Sequence, residues 1–150
     1  KDECDLIWYK DVDGLITNLL IPITDFIDDR NAFYITKDFT ELNGGSIIIK
    51  NTKEGRWINN NILQMSDEYK NEQNAINILI SIPHFDKFMK ILLHPSINSY
   101  SYDLYPECKE YIGREDLGDW ASGHFLIHFP ALQIKDRVEL LKEFKEKIIW

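Results

Sequence analysis

Short runs of apolar residues, each closed by polar or glycine-rich segments, recur along most of the chain. Runs of four to eight apolar residues bounded by turn residues are typical of β-strands, and Ile, Tyr, Phe and Trp favour that interpretation. The pattern predicts a first buried strand that ends in front of Asp11, and a central strand that contains the isoleucines of residues 47–49. Further strands are predicted over residues 32–36, 88–93 and 122–130.

Other stretches have apolar residues three or four positions apart, the spacing that places them on one face of an α-helix. Helices are predicted over residues 53–65, 72–80 and 134–150, with residues 66–69 as a loop. The side chains expected to face inward are Trp57, Ile58, Ile62 and Leu63 in the first helix, Ala75, Ile76, Leu79 and Ile80 in the second, and Val138, Leu141, Phe144 and Ile148 in the third.

A brief, broken helix is also predicted near the start of the chain. Thr17 or Asn18 is expected to cap it, because hydroxyl and amide side chains satisfy the first free N–H groups of a helix. It would continue to Phe26, with an interruption at Pro22, because proline removes a backbone donor and clashes with the preceding turn.

The composition is that of an ordinary soluble globular protein, with 44% hydrophobic and 28% charged residues. A length of 150 residues predicts one domain over residues 1–150. The net charge of -8 and the absence of a basic cluster argue against a nucleic-acid partner. No apolar run approaches the ~18 residues that a bilayer span needs. Because the sequence begins with Lys1 and not with Met, we expect it to be a piece of a longer protein.

The two cysteines, Cys4 and Cys108, lie more than a hundred positions apart and lack metal-ligand spacing. Free buried thiols are favoured over a disulfide for them. No Asn-x-Ser/Thr sequon occurs, so the sequence gives no sign of secretion.

Asp11 and Asp13 stand one residue apart at the end of the first predicted strand. Side chains alternate along a strand, so the two carboxylates are expected on one side, where they repel unless a cation or shared proton lies between them. A divalent cation at the carboxyl end of a strand is the favoured explanation. A plain turn is the alternative, because Asp-x-Asp-Gly is also turn chemistry. An EF-hand is excluded, because Leu15 and Pro22 occupy positions that need oxygen ligands.

Other polar segments have both a structural and a ligand-binding interpretation. Asn43, Gly44 and Gly45 are predicted to form a tight loop before the central strand, which is either a hairpin turn or a place where a ligand approaches the backbone. Glu72 begins the second predicted helix, where a carboxylate is favourable for the helix dipole whatever the function. Residues 98–102 are polar and aromatic, typical of a loop that faces a sugar or peptide but also of many buried loops.

Two histidines, His124 and His128, flank an apolar run in the last predicted strand. Four residues of strand span roughly 13 Å, so at most one of them shares an ion with the aspartates. A histidine beside apolar residues is more often structural than a metal ligand.

Five segments taken in chain order point to a known family. They are the strand ending Asp11-Val12-Asp13, Asp38 with Leu42-Asn43-Gly44-Gly45-Ser46, Glu72-Gln73-Asn74-Ala75, Ile97-Asn98-Ser99-Tyr100, and Gly123-His124-Phe125-Leu126-Ile127-His128-Phe129. In order and approximate spacing they resemble glycosyltransferase family 34, which contains fungal α-mannosyl- and α-galactosyltransferases and plant xyloglucan xylosyltransferases. The resemblance extends over almost the whole 150 residues.

The resemblance implies an α/β, GT-A-like fold of the nucleotide-diphospho-sugar transferases, a mixed sheet flanked by helices. Its N-terminal nucleotide-binding part is expected to be missing from this sequence. The implied activity is a retaining, Mn²⁺-dependent transfer of a hexose or pentose from a UDP- or GDP-linked sugar to a glycan or glycoprotein. Residence on the lumenal side of the Golgi membrane, and partners in a glycosyltransferase complex, would follow from the fungal and plant relatives.

The resemblance also implies residue roles, which fall into metal, substrate and catalytic groups. The implied residues are Asp11, Asp13 and His128 for the Mn²⁺ that grips the diphosphate, Asp38, Asn43, Gly44, Gly45 and Lys135 for the substrates, and Gln73 and Glu72 beside the anomeric carbon. Gln73 or Glu72 would stabilise an oxocarbenium-like centre. This sequence departs from the family at His124, where an acidic residue is usual, at Pro130-Ala131, and at Gln133, where some members have lysine.

Three functions are compatible with these observations. A metal-dependent glycosyltransferase is favoured, and it predicts Mn²⁺ binding that needs Asp11, Asp13 and His128 together. A non-catalytic glycosyltransferase-like subunit or scaffold predicts the fold without tight metal binding. An unrelated metal- or ligand-binding α/β domain predicts a metal site that excludes His128.

Overall fold

The computed structural model describes residues 4–39, 41–69 and 71–150. Within them the β-strands are β1 (Leu6–Lys10), β2 (Gly14–Ile16), β3 (Phe33–Lys37), β4 (Leu42–Lys50), β5 (Met89–Leu92) and β6 (Leu126–His128). The α-helices are α1 (Lys53–Tyr69), α2 (Glu72–Leu79), α3 (His94–Ile97) and α4 (Ile134–Lys145). Short 3-10 helices lie at Ile23–Phe26, Asp86–Phe88, Tyr102–Leu104, Pro106–Tyr111 and Glu115–Leu117.

The chain forms two compact units. The first contains the segment that ends at Tyr9 together with Ile27–Leu92, and the second contains Lys10–Phe26 and Leu93–Trp150. The single domain expected over residues 1–150 stays a prediction, because a domain is defined by independent folding and not by compactness alone.

The first unit is built on a four-stranded sheet in the order β1-β4-β3-β5. β3 pairs antiparallel with β4 and parallel with β5, so that Phe33 lies opposite both Ile49 and Met89. Phe33, Tyr34 and Ile35 are fully buried, as expected for a central strand that is covered on both faces. The predicted α/β fold with a mixed sheet is confirmed.

Helices α1 and α2 pack against each other and against β4. Asn71 begins α2, and its side chain accepts a hydrogen bond of 2.7 Å from the backbone N of Asn74, which satisfies a free donor at the helix start. The apolar face of α2 is buried at Ala75, Ile76 and Leu79. The second predicted helix is therefore confirmed.

The first predicted helix is longer than its apolar pattern indicated. α1 continues to Tyr69, so the prediction of a loop over residues 66–69 is wrong. The Ser66 hydroxyl donates to the backbone O of Ile62 at 2.7 Å, which satisfies this polar side chain inside the helix.

The buried face of α1 is also narrower than predicted. Ile58 and Ile62 are buried, but Trp57 and Leu63 are 45% and 59% exposed. The prediction that Trp57 and Leu63 face inward is therefore wrong. The partly exposed Trp57 ring packs beside the ring of Phe85, with the two ring centroids 4.9 Å apart.

The glycine pair lies inside β4 and not in a loop ahead of it, so that prediction is wrong. Ile35 pairs with Ile47, whereas the next residue, Thr36, pairs with Asn43. Residues 44–46 consequently form a bulge in β4, a place where glycine is tolerated and often required.

The tight turn between β3 and β4 lies earlier in the chain, at Asp38. Its backbone N donates to the O of Glu41 at 2.9 Å, and its Oδ1 accepts from the N of Glu41 at 3.1 Å. The hairpin and the glycine pair are therefore separate features.

β1 forms where predicted, but it is not a buried strand. Ile7 and Tyr9 are 54% and 45% exposed, and their alternation with half-buried neighbours indicates a sheet face open on one side. Trp8 Nε1 donates to Ser46 Oγ at 3.0 Å. The strand ends at Lys10, so Asp11 lies in the turn that follows.

The second unit contains a two-stranded antiparallel ribbon, in which Gly14 of β2 lies opposite His128 of β6. β6 covers three residues only, so the strand predicted over residues 122–130 is too long. The ring centroids of Phe129 and of Phe144 in α4 lie 5.2 Å apart. Helix α4 covers the ribbon through this contact.

The predicted C-terminal helix is likewise too long, since α4 ends at Lys145. Phe144 is buried as expected, but Val138 is 44% exposed, so its predicted inward position is wrong. After the helix, Ile149 N donates to the O of Thr17 at 2.9 Å. The chain near Ile149 is therefore not helical, because its backbone pairs with the extended segment at Thr17.

No helix begins at Thr17 or Asn18 in this structure, which corrects that prediction. The Thr17 hydroxyl donates to the backbone O of His124 at 2.7 Å, and Asn18 Nδ2 donates to the O of Gly123 at 2.9 Å. Both side chains therefore tie two chain segments together, and the only helical element seen there is the 3-10 turn Ile23–Phe26.

The polar and aromatic segment over residues 98–102 is buried, with Asn98, Ser99 and Tyr102 fully enclosed. The prediction of a sugar- or peptide-facing loop is wrong, and the alternative of a buried loop is confirmed. Neither Cys4 nor Cys108 forms a disulfide. Cys108 is buried as predicted, but Cys4 is exposed, so the prediction of a buried thiol is wrong for Cys4. Within the described part of the chain, none of the helices combines the length and the apolar character that crossing a membrane requires.

Candidate metal centre

Asp11 and Asp13 occupy the turn between β1 and β2, which a hydrogen bond from Gly14 N to Asp11 O closes at 3.1 Å. The pairing of β2 with β6 places Gly14 opposite His128. Phe129 N also donates to Asp13 O at 3.2 Å. The main chain of the second unit therefore fixes the aspartate turn beside the last residue of β6.

The three side chains converge from this backbone arrangement. His128 Nε2 lies 3.0 Å from Asp13 Oδ1 and 3.7 Å from Asp11 Oδ2, and one ligand atom from each residue lies within 4.8 Å of the others. The structure thus brings the three predicted metal ligands together. The turn after β1 brings Asp11 and Asp13 to one side. The prediction had instead relied on the alternation of side chains along a strand.

His128 is buried in surroundings that favour the neutral imidazole. Its Nδ1 lies 3.1 Å from Asn98 Oδ1, an atom that only accepts, so Nδ1 carries the hydrogen. Its backbone N donates to Ser99 O at 2.7 Å. Burial lowers the pKa of His128, against the opposing charges of Asp13 and Asp11. With the hydrogen on Nδ1, Nε2 would present its lone pair to an ion bound beside the aspartates, as a metal ligand requires.

Two cationic side chains that were not predicted from the sequence, Lys10 and Arg137, lie beside the aspartate turn. Lys10 Nζ donates to the backbone O atoms of Asp11 at 2.7 Å and Gly14 at 2.6 Å, and burial lowers the pKa of Lys10. Arg137 Nη1 lies 2.8 Å from Asp13 Oδ2. Each carboxylate oxygen of Asp13 therefore has a close neighbour.

A weak signal for Arg137 was present in the sequence. It lies in the first turn of α4, where a cation is unfavourable for the helix dipole and a tertiary partner is a natural explanation. Lys135, the residue that the resemblance assigned to the diphosphate, is exposed in the same turn. Among the described residues, no ion pair joins Lys135 to Asp11 or Asp13.

His124 has a structural environment. Its Nδ1 accepts a hydrogen bond of 3.2 Å from Ala121 N, and its Nε2 lies 3.5 Å from Glu115 Oε2. It precedes β6 and lies outside it, so the prediction that both histidines lie in one strand is wrong.

Apart from Lys135, the residues predicted for substrate binding and catalysis lie in the first unit and contact one another. Asn43 Nδ2 donates to Asp38 Oδ2 at 2.9 Å, and Gly45 N donates to Asn43 Oδ1 at 2.8 Å. Gly44 N donates to Gln73 Oε1 at 3.2 Å. The bulge of β4 is thereby tied to the first turn of α2.

Glu72 adjoins this contact. A Cβ placed on Gly44 would lie 3.5 Å from Gln73 Cβ and 3.6 Å from Glu72 Oε1, so α2 approaches the bulge closely. The roles of these residues in binding or catalysis stay predictions.

The donor set of the second unit fits a first-row divalent ion. Carboxylate oxygens with one imidazole nitrogen suit Mn²⁺ and its neighbours in the series, whereas Mg²⁺ and Ca²⁺ prefer oxygen ligands alone. The hydrogen bond from His128 to Asn98 supplies the outer support that metal-binding histidines usually have. Asp11, Asp13 and His128 would hold the ion.

No family model and no curated protein sequence matches this chain. Its structure is similar to the crystal structure of a glycosyltransferase involved in the glycosylation of the major capsid of PBCV-1, with a TM-score of 0.67 and 15% sequence identity. The match covers 93% of this chain and 66% of that chain. This likeness establishes a glycosyltransferase-like fold and confirms the predicted fold class. Membership of glycosyltransferase family 34 stays a prediction.

Proposed function

We propose that this protein is a metal-dependent glycosyltransferase that moves a hexose or pentose from a UDP- or GDP-linked sugar to a glycan or glycoprotein. The convergence of Asp11, Asp13 and His128 carries the proposal. A fold alone does not define an activity, because one fold hosts many functions. Here a donor set suited to Mn²⁺ occurs within a fold similar to that of a glycosyltransferase.

In this proposal Asp11, Asp13 and His128 hold the cation. When bound, Mn²⁺ acts as a Lewis acid that offsets the negative charge developing on the departing diphosphate. Asn98 fixes the tautomer and the orientation of the His128 ring through Nδ1. Lys10 fixes the aspartate turn through two backbone oxygens.

The proposed sugar-side roles belong to the first unit. Asp38 and Asn43 would bind donor hydroxyls, and the backbone of Gly44 and Gly45 would line the sugar pocket. Gln73 and Glu72 would stabilise positive charge on the anomeric carbon.

The proposed transfer is a retaining substitution at that carbon. Its bond to the diphosphate oxygen breaks, and the electron pair leaves with the diphosphate. The acceptor hydroxyl oxygen forms the new bond on the same face, and its proton passes to the departing oxygen.

The deciding experiment is thermal unfolding during Mn²⁺ titration, with and without UDP or GDP, on wild type, Asp13→Ala and His128→Ala. With Mn²⁺ at about 100 times its Kd we expect the wild-type Tm to rise by roughly 5–10 °C. A nucleotide of the correct donor class should extend the rise, and both variants should lose it. His124→Ala is the matched control, because His124 lies outside the cluster.

Two results would contradict the proposal. Equal stabilisation of wild type and His128→Ala would place the ion elsewhere, as the unrelated metal-binding domain predicts. A folded wild type that does not respond to Mn²⁺ would favour the non-catalytic subunit.

A specific observation favours that second candidate function. The guanidinium of Arg137 pairs with Asp13 at 2.8 Å, so the chain itself supplies a cation to the aspartate turn. A glycosyltransferase-like subunit that keeps the fold without a metal would retain such an internal charge. The same Mn²⁺ titration separates the two functions.

A further inference from the structure

Asp13 is shared between a histidine and a permanent cation. Oδ1 lies 3.0 Å from His128 Nε2, and Oδ2 lies 2.8 Å from Arg137 Nη1. The Asp13 side chain is only 10% exposed, so solvent screens these contacts weakly. Arginine stays protonated at every pH at which proteins fold. A divalent ion that binds Asp13 would therefore meet a positive charge already in place.

Arg137 is held beside Asp13 by its surroundings. Its backbone N donates to Gln133 O at 3.0 Å within the first turn of α4, and its side chain is 27% exposed. Its Nε is buried without a hydrogen-bond partner among the described residues. The partial positive charge of the helix N-terminus adds to that of the guanidinium, and Asp136 is the acidic residue in the same turn.

Lys10, the other nearby cation, has a different arrangement. Its Nζ donates to the backbone oxygens of Asp11 and Gly14. It therefore stabilises the shape of the turn, whereas Arg137 contacts Oδ2 of Asp13, the carboxylate whose Oδ1 faces His128.

We propose that Arg137 competes with the divalent ion for Asp13 and thereby sets the affinity of the metal site. The inference rests on the proposed metal centre. When an ion binds, Arg137 must remain beside a like charge or give up its partner, and either outcome weakens binding. In the metal-free protein the same arginine compensates a buried carboxylate and stabilises the fold. By linkage, Arg137 and the ion each weaken the other's interaction with Asp13.

The test measures the Mn²⁺ dissociation constant by isothermal titration calorimetry and by the electron paramagnetic resonance signal of free Mn²⁺. Arg137→Gln removes the charge at similar side-chain length, and we expect it to bind Mn²⁺ at least about tenfold more tightly than wild type. Arg137→Lys keeps the charge and should bind within about threefold of wild type. Lys142→Gln is the matched control, because it makes the same charge change at an exposed position of the same helix, and it should also stay within about threefold.

A second readout uses thermal unfolding. Without Mn²⁺, Arg137→Gln should have a lower Tm than wild type, because Asp13 loses its compensating charge. With Mn²⁺ saturating both proteins, this difference should shrink or vanish. If Arg137→Gln folds only when Mn²⁺ is present, the ion replaces the missing arginine at Asp13. This result would also support competition between Arg137 and the ion. A failure of Mn²⁺ to rescue an unfolded variant would overturn the inference.

Other outcomes are also decisive. Unchanged or weaker Mn²⁺ binding by Arg137→Gln would mean that Arg137 orients Asp13 for the ion, and competition would be refuted while the metal centre stands. An absence of Mn²⁺ binding in both wild type and Arg137→Gln would refute the inference and the proposed metal centre together. The two failures are therefore distinguishable.

Discussion

At the scale of single residues, the Asn98 side chain fixes how the His128 ring would face a metal. Asn98 is fully buried, and its Oδ1 accepts from His128 Nδ1 at 3.1 Å. This contact holds the hydrogen on Nδ1 and leaves Nε2 to face Asp13 and Asp11. Partners of this kind typically change metal affinity 10- to 100-fold in proteins.

We therefore expect Asn98→Leu to weaken Mn²⁺ binding by about 10- to 100-fold, because the imidazole loses the acceptor that fixes its tautomer. Asn98→Asp keeps an acceptor oxygen in place and should bind at least as well as wild type. Isothermal titration with Mn²⁺ measures both, after Tm values have shown that each variant is folded. Equal Mn²⁺ affinities for Asn98→Leu and Asn98→Asp would contradict the proposed role of Asn98.

How far the sequence could define this centre differs from residue to residue. Asp11 and Asp13 are visible because two carboxylates one residue apart are unusual at the end of an apolar run. His128 became a candidate through the family resemblance alone, since apolar neighbours favour a structural histidine. Arg137 could not be found by spacing, because its ion pair with Asp13 joins residues more than a hundred positions apart.

At the scale of elements, Gly118 allows close packing of the segments beside His128. Tyr100 bridges to His128 in a parallel register and lies 5.7 Å from its ring. Tyr100 N in turn donates to the O of Gly118 at 2.9 Å. Gly118 is buried with φ +100°, and a Cβ there would overlap His94 Nδ1.

Gly118→Ala should therefore destabilise the protein by about 3 kcal/mol or more, which combines left-handed backbone strain with overpacking against His94. Gly113→Ala is the matched control. Gly113 has φ +79° but nothing within 4 Å of its added Cβ, so strain alone should cost about 1 kcal/mol. Urea unfolding of the two variants and wild type measures the difference. Equal losses would show that His94 moves aside without cost.

The elements themselves were predicted where local pattern decides them. The apolar face of α2 and the hydrophobic residues of β3 follow from spacing alone, and both elements formed as expected. The β4 bulge and the short β6 did not follow from spacing. Their limits depend on register with β3 and β2, and a single strand's sequence does not contain its partner's register.

At the scale of the whole molecule, the residues implied by the resemblance form two sets in two compact units. Asp11, Asp13 and His128 belong to the second unit. The set that includes Gln73 and the β4 bulge belongs to the first. The residues proposed for metal binding and those proposed for sugar chemistry can therefore be substituted separately.

The variant Gln73→Ala tests the proposed sugar chemistry separately from metal binding. If Gln73 stabilises charge at the anomeric carbon, its loss should lower kcat about 100-fold or more, the usual effect of removing one polar group aimed at a transition state. Mn²⁺ affinity should stay unchanged, because the ligands lie in the other unit. His128→Ala should instead abolish both Mn²⁺ binding and transfer. The measurements are Mn²⁺ titration and sugar transfer from UDP- and GDP-linked donors.

Asn77→Ala is the matched control for this experiment, because Asn77 lies one turn further along α2 and its Nδ2 donates to the backbone O of Gln73 at 3.0 Å. It should keep transfer within about threefold of wild type, since it perturbs the same turn without removing the Gln73 amide. Full activity in Gln73→Ala would refute the catalytic assignment of Gln73 and shift it to Glu72. A wild type that binds Mn²⁺ through Asp13 and His128 but transfers no sugar from any donor would instead point to a metal-stabilised, non-catalytic subunit.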